Sequence, residues 1–161
     1  MSITFYKISD FKCDRAFFSK LVYQTYSLID CIGKDYEHLC EWYWSKAVPW
    51  IFSNQMEFFL ALDGERVIAV LIAKREKEER KICTLFVSPE YSHKGIATHL
   101  INDSFKFLET TTPIITFSEY KLHHFIPIIQ KYKWRIDKKK FKEFNKQYEL
   151  MCNTKLQNKK E

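Results

Sequence analysis
The chain has 161 residues, of which 46% are hydrophobic and 17% aromatic, and it carries a formal charge of +6. That is one ordinary domain with material for one sizeable core, which excludes a disordered or low-complexity chain. Residues 67–73 form an apolar run far short of the ~20 that cross a bilayer, and residues 1–6 lack a charged segment leading into an apolar stretch, so no membrane partner and a cytoplasmic address are expected.

Residues 3–8 alternate enough for a first strand. From about residue 14 to 30, Phe17, Phe18, Leu21, Val22, Thr25 and Leu28 recur at a helical period. Residues 31–34 break it, and Asp35 is the predicted cap of a second helix through Tyr36, Leu39, Cys40, Tyr43 and Ala47. Pro49 interrupts or bends that helix. The texture then changes. Residues 57–62 read as a strand, Asp63-Gly64 as a hairpin turn, and 66–73 as a strand buried on both faces, hence central. The charged residues 74–81 read as an exposed connection to a third strand at 82–87. A helix follows at 95–108, with Ile96, Leu100, Ile101, Phe105 and Leu108 on one face.

Thr110 to Pro113 stop that helix, and 114–117 form a short buried strand. Ser118 can cap a last long helix, in which Pro127 predicts a kink or a late start. Residues 134–141 and 147–152 read as closing strands, and 153–161 as a frayed tail. The order β-α-α-β-β-β-α-β-α-β-β predicts an α/β fold with a mixed, mainly antiparallel sheet in one domain over residues 1–152.

The five cysteines are odd in number and contain no C-x-x-C pair, which fits neither a disulfide framework nor a zinc site, so reduced thiols and no metal are expected. Much of the positive charge lies between Lys131 and Lys146. A basic surface attracts anions, nucleic acid among them, although a solvated lysine-rich strand face explains it as well.

Residues 83–100 carry the chemistry. A strand ends in Leu85-Phe86-Val87-Ser88-Pro89-Glu90, and a polar loop then opens a helix at Ser92-His93-Lys94-Gly95-Ile96-Ala97. A helix N-terminus offers unpaired amides and a positive dipole end, so a phosphate is bound there by the backbone itself. Gly95 and Ala97 are small enough to let it approach.

This segment resembles the acetyl-CoA signature of the GCN5-related N-acetyltransferases, the GNAT superfamily, and the element order is similar over nearly the whole chain. The resemblance implies a splayed sheet and acetyl-CoA as acyl donor. It implies that the pantetheine arm runs along Leu85, Phe86 and Val87, and that Ser92, His93, Lys94, Gly95, Ile96, Ala97 and Thr98 take the pyrophosphate. Ser92 stands where the family usually has Arg or Gln. The family's frequent Tyr in the last helix aligns with Ile129, so the proton donor is open. Candidates for proton transfer are Glu119, Ser118 and His123, with His124 beside it. Glu119 also reads as a helix-start acid and Ser118 as an N-cap.

Cys83 lies on the right strand, but no activating partner is evident, so direct transfer in a ternary complex is expected. The resemblance places the acceptor by the first two helices, where Tyr36, His38, Trp42, Tyr43, Trp44 and Trp50 either cage an amine or cover the sheet. The expected acceptor is a primary amine of a small molecule, peptide or protein. Aminoacyl-tRNA is the alternative that the basic C-terminal third suggests. A CoA-binding sensor that has lost catalysis is a third. A homodimer stays open.

Overall fold
Two strands at the centre are apolar at nearly every position, and the rest of the molecule is arranged to cover both of their faces. The computed structural model describes residues 2–157. The central pair is β2 (Met56–Asp63) and β3 (Arg66–Arg75), antiparallel around a turn in which Gly64 has φ 60°. Seven strands form one sheet in the order β1-β2-β3-β4-β5-β7-β6. The others are β1 (Ile3–Lys7), β4 (Arg80–Val87), β5 (Ile114–Ser118), β6 (Ile136–Lys142) and β7 (Gln147–Cys152). All neighbours are antiparallel except β4 and β5. The mixed, mainly antiparallel α/β arrangement expected from the element order is present.

Strand alternation sorts the core into two layers. Phe58, Leu60 and Leu62 pack on one face against Phe18, Leu21, Val22 and Ile29 of helix α1 (Arg15–Ile29). Phe59 and Ala61 pack on the other against Ile96, Leu100, Ile101 and Leu108 of helix α3 (Ile96–Leu108). Asp14 caps α1, its carboxylate accepting from the Phe17 amide at 3.2 Å.

The second helix differs from its expectation. Asp35 does not cap it. Helix α2 (Leu39–Trp42) begins after His38 at φ 63°, passes into a π-helical turn at Tyr43–Ala47, and ends in a 3₁₀ turn at Pro49–Ile51. Asp35 is drawn inward instead, because two segments distant in sequence supply donors that a helix end could not match. Tyr43 is fully buried and donates its hydroxyl to the Val22 carbonyl at 2.5 Å, which pins this irregular stretch to α1.

Pro127 does not set the start of the last long helix, which begins five residues before it. A 3₁₀ turn at Glu119–Lys121 precedes helix α4 (Leu122–Tyr132), with Pro127 inside it. Ser118 occupies the N-cap position of that turn without a side-chain cap bond, so the predicted Ser118 cap is not made. The predicted connection over 74–81 is shorter than expected, turning at Glu76–Glu79 with strand on both sides, and the Glu76 amide donates to the Glu79 carbonyl at 2.9 Å. Residues 153–157 do not trail away. Asp137, at a bulge in β6, accepts from the Thr154 and Lys155 amides at 3.2 and 2.8 Å and holds the short helix α5 (Thr154–Gln157). The rest of the predicted tail, residues 158–161, lies outside the described residues. Among the described residues no helix is long and apolar enough to cross a membrane.

Leu100 is fully buried between α3 and the sheet. Leu100→Ala should lower unfolding stability by about 2–5 kcal/mol, because transfer and cavity costs add. Ile126→Ala, at a site 40% exposed, should stay within about 0.5 kcal/mol. Denaturant unfolding of the two variants checks the layer assignment.

Candidate active-site cleft
β4 is held to β3 along its length but to β5 at only two positions, Lys81↔Ile114 and Ile82↔Ile115. Cys83 sits at a bulge there, since Ile72 pairs with Thr84 and Ala73 with Ile82. Past that point β4 and β5 part. The β5-facing backbone of residues 83–87 is left without a strand partner, and a cleft of about 670 Å³ opens between the strands. All ten residues expected to hold the cofactor line it: Leu85, Phe86, Val87, Ser92, His93, Lys94, Gly95, Ile96, Ala97 and Thr98.

One end of the cleft is the N-terminus of α3. Its N-cap is Gly95 at φ 76°, with no side-chain cap bond, and His93 two residues earlier is also left-handed at φ 61°. The first bond into the helix runs from the His99 amide to the Gly95 carbonyl at 3.0 Å. The amides of Ile96, Ala97 and Thr98 therefore have no acceptor in the preceding turn, which is the arrangement an anion completes. A Cβ built on Gly95 meets no atom within 4 Å. The glycine is needed there for its backbone conformation and for an unobstructed approach, not because neighbouring atoms crowd it.

The opposite wall comes from α4, which presents His123, His124, Phe125, Pro127 and Ile128. The two imidazoles lie 3.9 Å apart between ring centroids, and His123 Nδ1 is 3.1 Å from the Tyr120 carbonyl. Burial lowers the proton affinity of His124, and His123, Lys121 and His93 lower it further, which favours its neutral form. Ile128 and Ile129 are both half-buried against the core beneath, and Ile128 also lines the cleft.

Two of the three residues singled out for proton transfer lie off the cleft lining. Ser118 is 5% exposed. Glu119 is bound to the Lys139 ammonium at 2.8 Å. His123 lines it. Among the expected acceptor aromatics, Tyr43 is sealed in the core, and Trp42, Trp44 and Trp50 pack against the same cluster. His38 lies beside Glu37 and Glu41 on the surface. Only Tyr36 of that set reaches the cleft.

Sequence reasoning missed what holds Tyr36 in place. Asp35 is 1% exposed. Its carboxylate accepts the Tyr120 hydroxyl at 2.8 and 2.6 Å and the Lys121 ammonium at 2.7 Å. The Asp35 carbonyl receives Lys142 Nζ at 3.4 Å and Asn145 Nδ2 at 3.5 Å. Lys142 also pairs with the Glu149 carboxylate at 3.0 Å. No local pattern signals this cluster, because its members come from three distant parts of the chain. Among the described residues no group of His, Cys, Asp and Glu is placed to hold a metal ion.

A mixed sheet whose two central parallel strands splay over an uncapped helix N-terminus defines an acyltransferase-type α/β protein. A model of the acetyltransferase (GNAT) family matches residues 22–115, and the chain belongs to that family. Solved structures agree in fold. A GNAT-family protein from Desulfovibrio desulfuricans superposes with a TM-score of 0.62 at 10% identity, covering 94% of this chain and 97% of its own. The PaiA N-acetyltransferase from Thermoplasma acidophilum, solved with coenzyme A, gives 0.59 at 17% identity over 94% and 98%. A GNAT acetyltransferase from Elizabethkingia anophelis with acetyl-CoA bound gives 0.51 at 16% identity over 66% and 80%. No curated protein sequence matches.

Burial pushes the Cys83 thiol up to about 11, against a smaller opposing pull from Lys81 and Lys74. At pH 8 about one such thiol in a thousand is ionised. Iodoacetamide at that pH should modify the exposed Cys13, Cys31 and Cys40 well before Cys83. Cys83 labelling should climb about tenfold per pH unit toward pH 11. Peptide mapping by mass spectrometry reads this, and equal labelling of all four at pH 8 would contradict it.

Proposed function
We propose that the domain, residues 1–152, transfers an acetyl group from acetyl-CoA to a primary amine by direct attack in a ternary complex. The observation that carries this reading is the continuity of the cleft. One passage joins the unpaired edge of β4 to the uncapped N-terminus of α3. That matches a ligand with an extended amide-bearing arm and a pyrophosphate. When bound, acetyl-CoA supplies an activated thioester carbonyl. The β4 edge at 83–87 pairs with the arm as an added strand would. The amides of Ile96, Ala97 and Thr98 take the pyrophosphate, with the Lys94 ammonium adding charge where Ser92 supplies none.

Direct transfer fits the state of Cys83, whose raised thiol is a poor nucleophile at neutral pH. Proton removal from the amine falls to groups in the cleft. His124, whose neutral form is favoured, can accept a proton, with His123 against it. Glu119 is already engaged with Lys139. The acceptor enters on the side of Tyr36 and Lys121 and is an amine of a small molecule, peptide or protein. The unpaired thiols favour a reducing cytoplasm.

Acetyl-CoA at about 100 times its Kd should stabilise the fold by about 2.7 kcal/mol, since it binds the native state alone. That is roughly 5–11 °C in Tm for a chain of this size. Gly95→Glu should abolish the shift by placing a carboxylate at the phosphate position, and Lys94→Ala should reduce it only slightly. An unmoved melting curve at millimolar acetyl-CoA would remove the basis of this reading.

A further inference from the structure
Breaking the thioester C–S bond leaves its electron pair on sulfur, and a donor in the cleft must meet that charge. The α4 wall contributes no hydroxyl among its lining residues. Two tyrosines line the cleft. Tyr91 is committed, donating to Asp63 at 2.5 Å while accepting from Arg66 at 3.1 Å. The Tyr36 hydroxyl makes no hydrogen bond among the described residues, although Tyr43, Tyr120 and Tyr132 all place theirs. Its oxygen is not among the fully buried unpartnered atoms, and the residue lines the cleft.

The ring itself is fixed. The Lys142 ammonium lies 5.0 Å from its centroid, and Lys142 is held in turn by Glu149 and the Asp35 carbonyl. The adjoining Asp35 anchors the loop to Tyr120 and Lys121. A partly buried phenol, with Lys142 over its ring and Asp35 anchoring the loop beside it, therefore offers the cleft an unused donor.

We propose that Tyr36 is a catalytic residue that donates a hydrogen bond to the departing CoA sulfur, and that Asp35 is the positioning residue that keeps it there. This rests on the reading that the cleft holds acetyl-CoA. The amine nitrogen forms its bond to the carbonyl carbon, the C–S bond breaks, and its electron pair goes to sulfur under the Tyr36 hydroxyl. The proton lost by nitrogen equals the proton finally gained by the thiol, and the two exchange through solvent. The phenol stays protonated across the working range. Burial raises its proton affinity, and Glu149 of β7, Asp35, Tyr120 and Cys83 of β4 raise it further. The contribution of Tyr36 should accordingly be level from about pH 6 to 9, whereas a histidine donor would be lost as it deprotonates near pH 6.5.

Tyr36→Phe keeps the ring beneath Lys142 and removes only the hydroxyl. With acetyl-CoA and the best amine of a panel, read by thiol release, kcat should fall on the order of 10–100-fold. KM for acetyl-CoA should be unchanged and the ratio to wild type flat with pH. Binding gives a second readout. At pH 9, calorimetry should show that wild type prefers CoA to desulfo-CoA, and that Tyr36→Phe loses this preference about tenfold while binding desulfo-CoA normally. If the variant does not fold, NMR of wild type with labelled tyrosine should show the Tyr36 phenol moving with CoA and not with desulfo-CoA. Wild-type kcat together with wild-type CoA preference in Tyr36→Phe would overturn the proposal, as would an equal Tyr36 response to both ligands. Failure of wild type to bind either ligand would instead overturn the acetyltransferase reading.

Discussion

The structure turns on how little of β4 pairs with β5. Backbone N–H and C=O groups are obligatory hydrogen-bonding groups, and a strand inside a sheet ordinarily spends them on both neighbours. Here β3 holds β4 from Arg80 to Val87, and β7 holds β5 from Ile115 to Ser118. The two halves of the sheet meet at two residue pairs only. The bulge at Cys83 increases local twist at the point of separation. An edge is thus exposed in the middle of the sheet instead of at its rim, protected from other chains yet open to an extended ligand. The position of α3 follows from the same feature. β4 runs out at Val87, and the chain turns through Pro89–Tyr91 before starting a helix at the end of the gap.

The far wall has a different physical origin. The loop after α1 has little regular structure of its own, and it is organised by a buried carboxylate. Removing the Asp35 charge from water is costly unless partners surround it, and Tyr120 and Lys121 provide them, while Lys142 and Asn145 bond the Asp35 backbone carbonyl. Satisfying that charge draws three segments together around one point. The loop, the start of α4 and the β6–β7 hairpin thereby become one wall. Breaking it would leave an uncompensated charge in the interior, so the wall tends to hold as a unit.

Local signals and global ones separate clearly in this chain. Alternation and continuous apolar runs marked the central strands, and the Asp63-Gly64 turn marked their hairpin, because these depend on neighbouring residues alone. The loop-to-helix step at Gly95 was equally legible, since a helix that opens on a glycine after a strand carries its anion site in its own backbone. Asp35 misled for the same reason. An acidic residue before a helical pattern is a good local cap, and nothing nearby showed that Tyr120 and Lys121 would outbid the helix end.

The sequence by itself determined the order of elements, the two-sided core and the loop-to-helix step over 92–98, all properties of short windows whose periodicity and turn chemistry act within a few residues. Only the tertiary structure decided which side chains reach the cleft. It engaged Glu119 with Lys139, buried Ser118, and brought Tyr36 in from the loop after α1. Those outcomes depend on contacts across as many as 110 residues. They are set by packing and by the cost of burying charge, and neither is written in the spacing of adjacent residues.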